Sequence, residues 1–175
     1  MVADVTPDEL LRQTPLFRSL ERNVQDQVSL RADLRSFKEG DRILEAGAPG
    51  RALLLVLKGS ADVYAREGAT RIRVAHVESG ELLGEIAFFV PDHPRTADVI
   101  GRTPGIVAFI PYELYQEWCR TSPSSAAALE KAVLSVLADR LEETNRLMAH
   151  LMAQYRSSGL AAALSWLRGL VGARP

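Results

Sequence analysis

Between Phe37 and Ile110 glycine cuts the chain into apolar runs too short to make helices. Gly40, Gly47, Gly50, Gly59, Gly68, Gly80, Gly84, Gly101 and Gly105 supply the punctuation, and Pro49 and Pro104 reinforce it. The runs Ala52–Leu57, Ala61–Ala65, Ile72–Val77, Ala97–Ile100 and Ile106–Ile110 have the length and composition of strands. No helix-length pattern lies between them, which argues against a doubly wound parallel sheet, because parallel neighbours need long crossovers. The spacing predicts an antiparallel sandwich or barrel.

Helical texture flanks this region. Thr6-Pro7-Asp8-Glu9 combines a capping hydroxyl, a proline and acids, a helix start. After a break at Thr14-Pro15, the apolar positions Val24, Val28, Leu30 and Leu34 predict more helix, so residues 1–36 read as an N-terminal helical segment. Beyond Pro111, Tyr112–Arg120 predicts a short helix, and Thr121-Ser122-Pro123-Ser124 a capped break. A long helix is expected from about Ser125 to Arg156, stopping before Ser157-Ser158-Gly159. Its residues Leu134, Leu137, Leu141, Thr144, Met148, Leu151 and Tyr155 step alternately by three and four. Such a seam predicts a helical partner, expected to be a second copy of the chain bound through residues 125–156. An apolar tail over 157–175, with Leu160, Leu164, Trp166, Leu167 and Leu170, is expected to dock on the domain or on a partner. The fold class is thus α+β: an antiparallel β-roll or jelly-roll barrel over 37–110, N-terminal helices, and C-terminal helices over 111–156.

Composition narrows the function. A net charge of -1 on 175 residues gives no basic field over the molecule, and no DNA partner is expected. The single cysteine, Cys119, excludes an internal disulfide and any cysteine metal cluster; it reads as a half-buried hydrophobe beside Trp118. The acidic start carries no leader-like apolar run, and no run of about 18 apolar residues occurs, so a cytoplasmic protein without a membrane span is expected. The histidines His76, His93 and His150 stand apart from one another, so neither a metal centre nor a metal-dependent barrel enzyme is expected. No catalytic set stands out, and the chain reads as a non-enzyme.

One segment carries chemistry. Gly84-Glu85-Ile86-Ala87-Phe88-Phe89 is followed, ten positions after the glutamate, by Arg95-Thr96-Ala97. A buried Arg–Glu pair is a poor stability device in itself, since desolvation offsets the attraction. An arginine fork, a carboxylate and the N–H groups after a glycine instead suit a ligand bearing both an anion and hydroxyls.

Taken with Phe37-Lys38-Glu39-Gly40-Asp41-Arg42-Ile43, Gly47 and Leu55-Val56-Leu57-Lys58-Gly59-Ser60, the segment resembles the phosphate-binding cassette of cyclic-nucleotide-binding domains. The likeness covers roughly residues 10–156, with the cassette at 84–97. Within that family it is most similar to the sensor halves of bacterial catabolite-activator transcription factors. The resemblance implies a cyclic mononucleotide ligand, cAMP or cGMP, and no other cofactor. Arg95 would meet the phosphate oxygens, Gly84, Ile86 and Ala87 would bring backbone to them, Glu85 would accept from the ribose 2′-hydroxyl, and Thr96 would add a hydroxyl near phosphate or base. It also implies lid contacts from Arg140, Thr144 and Asn145 on the long helix, although Thr144 equally suits a register-setting position in the heptad seam. The residues after Gly159 are too few and too poor in Lys and Arg for the helix-turn-helix of those factors, so a free-standing sensor signalling through an effector protein is expected. The alternative is an interaction scaffold whose cassette no longer binds.

Overall fold

The computed structural model describes residues 6–68 and 70–171, with side chains described as far as Gln154 except that of Glu67. Three helices open the chain: α1 (Pro7–Gln13), α2 (Pro15–Ser19) and α3 (Arg22–Arg31). Thr6 caps α1 in a reciprocal box with Glu9, and Thr14 caps α2, as the sequence pattern requires. The strands are β1 (Asp33–Phe37), β2 (Arg42–Leu44), β3 (Ala52–Lys58), β4 (Ala61–Glu67), β5 (Thr70–Val77), β6 (Leu82–Leu83), β7 (Asp98–Gly101) and β8 (Gly105–Pro111). The short helix α4 (Glu85–Phe89) lies between β6 and β7, and α5 (Tyr112–Thr121) and α6 (Pro123–Val171) follow β8.

The strands form two antiparallel four-stranded sheets, ordered β1-β8-β3-β6 and β2-β7-β4-β5. This is the expected roll. Phe37, Leu54, Val56, Val63, Val77, Leu83, Val99, Val107 and Phe109 fill its interior. Side chains alternate along a strand, so Leu53, Leu55 and Leu57 face the other way, and they too are buried. Helices α1 and α4 pack against β3, which explains its unbroken apolar run. The β3–β4 turn needs Gly59: its φ is +81°, and a Cβ there would sit 2.6 Å from the Pro104 carbonyl oxygen.

Several expectations are corrected. Helix does not persist to residue 36; α3 stops at Arg31, and Leu34 belongs to β1, paired to Ala108 of β8. Val24 and Val28 are fully buried, whereas Leu30 is 84% exposed, so the apolar spacing overstated that helix. Cys119 is exposed, while its neighbour Trp118 is buried and donates from Nε1 to Gln27 Oε1 at 2.8 Å. The long helix does not end before Ser157. Its backbone stays helical to Val171, because Gly159 and Gly169 cost only about 1 kcal/mol each in a helix and no proline intervenes.

The chain divides into two compact units, residues 1–133 and 134–175. In the second unit Leu134, Leu141, Met148 and Leu151 of the heptad seam are all more than half exposed. Tyr155 of the seam and the expected docking of the 157–175 tail concern side chains outside the described residues. Among the described residues no helix is long and apolar enough to cross a membrane, and no cluster of His, Cys, Asp and Glu could hold a metal ion. His93 is exposed in the loop between α4 and β7.

Candidate binding site around Glu85 and Arg95

Pairing of β3 with β6 sets Leu54 beside Leu83, so Gly84 emerges next to the start of β3. Gly84 has φ 83° and ψ 14°, a left-handed conformation from which α4 departs. A Cβ at Gly84 would overlap Arg95 Nη1 and lie 3.1 Å from the Ala52 carbonyl oxygen. Both the backbone conformation and the space therefore demand glycine.

Arg95 is drawn into this corner. Its Nη2 donates to the Ala52 carbonyl at 2.8 Å and its Nη1 to the Gly84 carbonyl at 3.3 Å. Its backbone is clamped as well: its N–H donates to Ala48 O at 3.0 Å, and its carbonyl accepts from Gly47 N–H at 2.8 Å. The side chain is only 7% exposed. Burial lowers its pKa, and the Glu85 carboxylate opposes that shift by favouring the charged form. A guanidinium stays charged at neutral pH even so. The sequence-predicted pair is thus brought together: Glu85, itself buried, opens α4, and Arg95 lies within its field.

The first N–H groups of a helix lack an acceptor within it. In α4 the Phe88 N–H already bonds the Gly84 carbonyl at 3.1 Å, which leaves those of Ile86 and Ala87 to partners outside the helix. Ile86 is exposed and Ala87 buried. Thr96 is exposed one residue beyond the guanidinium. Arg140, Thr144 and Asn145 lie on α6 in the second unit, Thr144 and Asn145 exposed.

Sequence reading missed the support beneath this site. Asp98 is fully buried and accepts from Arg66 through both oxygens, each at 2.9 Å. It also takes the Ala46 N–H at 2.9 Å, with Arg71 3.5 Å away. The Arg66 hydrogen bonds and the Ala46 N–H hold its carboxyl at about 2. Ala46 directly precedes the Gly47–Ala48 segment that clamps Arg95, so Asp98 braces the arm of the cassette. Thirty-two positions separate Arg66 from Asp98. Only the pairing of Tyr64 with Asp98 across β4 and β7 makes them neighbours, and no local pattern announces it.

A family model described as a cyclic nucleotide-binding domain matches residues 34–122. Glutaminase 2 of Bradyrhizobium diazoefficiens is 27% identical over 142 residues, 81% of this chain and 22% of that protein. A cAMP-dependent protein kinase regulatory subunit of Colletotrichum orbiculare is 27% identical over 109 residues, 62% of this chain and 27% of that protein. The chain therefore spans about a quarter of the length of these two curated relatives. Among solved structures, the catabolite activator protein of Thermus thermophilus superposes with a TM-score of 0.62 at 26% identity, covering 79% of this chain and 63% of that one.

Proposed function

Because the chain belongs to the cyclic nucleotide-binding domain family, we propose that it is a regulatory module that binds a cyclic mononucleotide such as cAMP or cGMP. The observation that carries this reading is the buried Arg95 guanidinium beside Glu85, held by the carbonyls of Gly84 and Ala52. A cyclic phosphodiester has one delocalised negative charge, and the arginine fork matches two of its oxygens. The Ile86 and Ala87 N–H groups add donors on the same side. Glu85 accepts from the ribose 2′-hydroxyl, so a deoxy analogue leaves a buried carboxylate short of a partner. Thr96 supplies a hydroxyl beside phosphate or base. For Arg140, Thr144 and Asn145 the reading keeps the role of lid contacts from the long helix.

The remaining parts belong to the same proposal. The module is a cytoplasmic homodimer joined through residues 125–156, it catalyses nothing itself, and its output passes to an effector protein. The exposed apolar seam of α6 supports dimerisation. The regulatory subunit among the relatives supports a sensing role.

Titration calorimetry of the purified chain with cAMP and cGMP tests the reading. We expect saturable heat with at least one of them. Arg95→Ala should weaken binding at least about 100-fold, the scale of a charge-assisted fork removed from a buried site. Absence of heat with both nucleotides would turn the reading toward a scaffold with a non-binding cassette.

A further inference from the structure

Arg51, on the loop that leads into β3, belongs to no motif. Its guanidinium nonetheless joins two elements that the sequence separates. Nε and Nη2 both donate to the carbonyl of Phe88, at 3.2 and 3.0 Å. That carbonyl lies at the C-terminal end of α4, where helix geometry leaves it without an intrahelical donor. The flat face of the same guanidinium lies 3.4 Å from the centroid of the Tyr112 ring, on the first residue of α5. The Arg51 carbonyl accepts from the Tyr112 N–H at 3.0 Å. One residue thus grips the end of α4 and the start of α5 together.

The surrounding rings extend this grip. Phe88 packs edge-on to Tyr112 at 5.2 Å and against Tyr115 at 5.7 Å, and Phe89 meets Tyr115 edge-on at 5.3 Å. Tyr115 in turn donates to Glu130 of α6. Helix α4 is five residues long, a rod of about 7 Å. Glu85 begins the rod at the Arg95 corner, and Phe88 O is near its other end. The same short rod thus meets the Arg95 corner at one end and the Arg51 fork at the other.

We propose that Arg51 is a positioning residue that transmits occupation of the cassette to α5 and, through Tyr115 and Glu130, to the first turns of α6. The inference rests on the nucleotide-binding reading above. It assigns the coupling to a planar fork that hydrogen-bonds at its edge while it stacks on its face, which neither lysine nor glutamine reproduces.

Cys119 is the single cysteine of the chain, is exposed, and lies on α5 one turn beyond Tyr115, so its rate of reaction with an aromatic disulfide reports the state of α5. The rate is measured on the full chain with and without saturating cAMP, beside calorimetry of the same samples. In the wild type we expect cAMP to change the rate several-fold, the ordinary size of a coupling between sites. In Arg51→Gln we expect heat of binding to persist, with affinity within about tenfold of wild type, while the rate no longer responds. Arg51→Lys should fail in the same way, because it keeps the charge but not the fork or the stack. Tyr112→Leu removes only the stacking surface and should reduce the response; it carries the test if the Arg51 variants do not fold. A wild type that binds cAMP without any change at Cys119 overturns the inference, as does an Arg51→Gln or Tyr112→Leu variant with an undiminished response. A wild type that gives no heat with cAMP is taken through the same two readouts with cGMP, and no heat with either removes the nucleotide-binding reading and this inference with it.

Discussion

Single atoms decide the cassette. Gly84 is there because a Cβ would overlap the guanidinium of Arg95 and force a side chain into left-handed backbone. Gly84→Ala should cost about 1–2 kcal/mol in chemical denaturation from the backbone alone, and calorimetry should show nucleotide affinity falling with it as Arg95 is pushed aside. Asp98 makes a prediction about acid. Its ordinary pKa is 3.8, and Arg66 and Ala46 hold it at about 2. A depressed carboxyl stabilises the fold above its unfolded value, and that stabilisation is lost as pH falls from about 4 toward 2. Arg66 is 41% exposed, so solvent screens the pair and the loss is on the order of 1 kcal/mol. Asp98→Asn should be less stable at pH 7 and should show a flatter pH dependence below 4. Denaturation midpoints collected across that range check the sign.

Elements differ in how plainly the sequence shows them. Strands β3, β4, β5, β7 and β8 are legible because each is an apolar run bounded by glycine or proline, whereas their register, with shifts at Val56/Lys58 and Val63/Tyr64, is not. Strand β6 is not, since Leu82–Leu83 is too short to carry a period and exists only because β3 lies beside it. Leu34 misleads because a leucine at helical spacing also suits a strand, and the pairing with β8 outweighs the helical preference. In the site, Glu85 and Arg95 are legible from spacing, whereas Asp98 and Arg51 act through partners from other strands and helices that no local pattern names. Helices α3 and α5 are tied by Trp118, whose Nε1–H meets Gln27. Trp118→Phe keeps most of the ring but strands the Gln27 oxygen, and should cost about 1–3 kcal/mol in thermal or chemical denaturation.

For the molecule as a whole, the α6 seam leaves apolar side chains bare in the single chain. Leu141 is 61% exposed in the single chain. If a second copy buries it, Leu141→Glu should raise the dimer dissociation constant at least tenfold, the effect of about 1.4 kcal/mol, and native mass spectrometry should show monomer at concentrations where the wild type is dimeric. A mass of wild type that is monomeric throughout would remove the dimer from the proposal. Strand β3 has a consequence of another kind, in biosynthesis. Within Ala52–Leu57 the residues from Leu53 on are buried on both faces, and the partners β6 and β8 are made later, the last of them ending at Pro111. A growing chain therefore carries a bare, uncharged, strand-forming hexapeptide until more than fifty further residues have been added. At roughly 5–20 residues per second that interval lasts seconds, and such a segment is prone to pair with its like on neighbouring chains. The yield of intact protein should accordingly depend more on holdase chaperones and on slow synthesis between residues 58 and 111 than the stability of the finished roll would suggest.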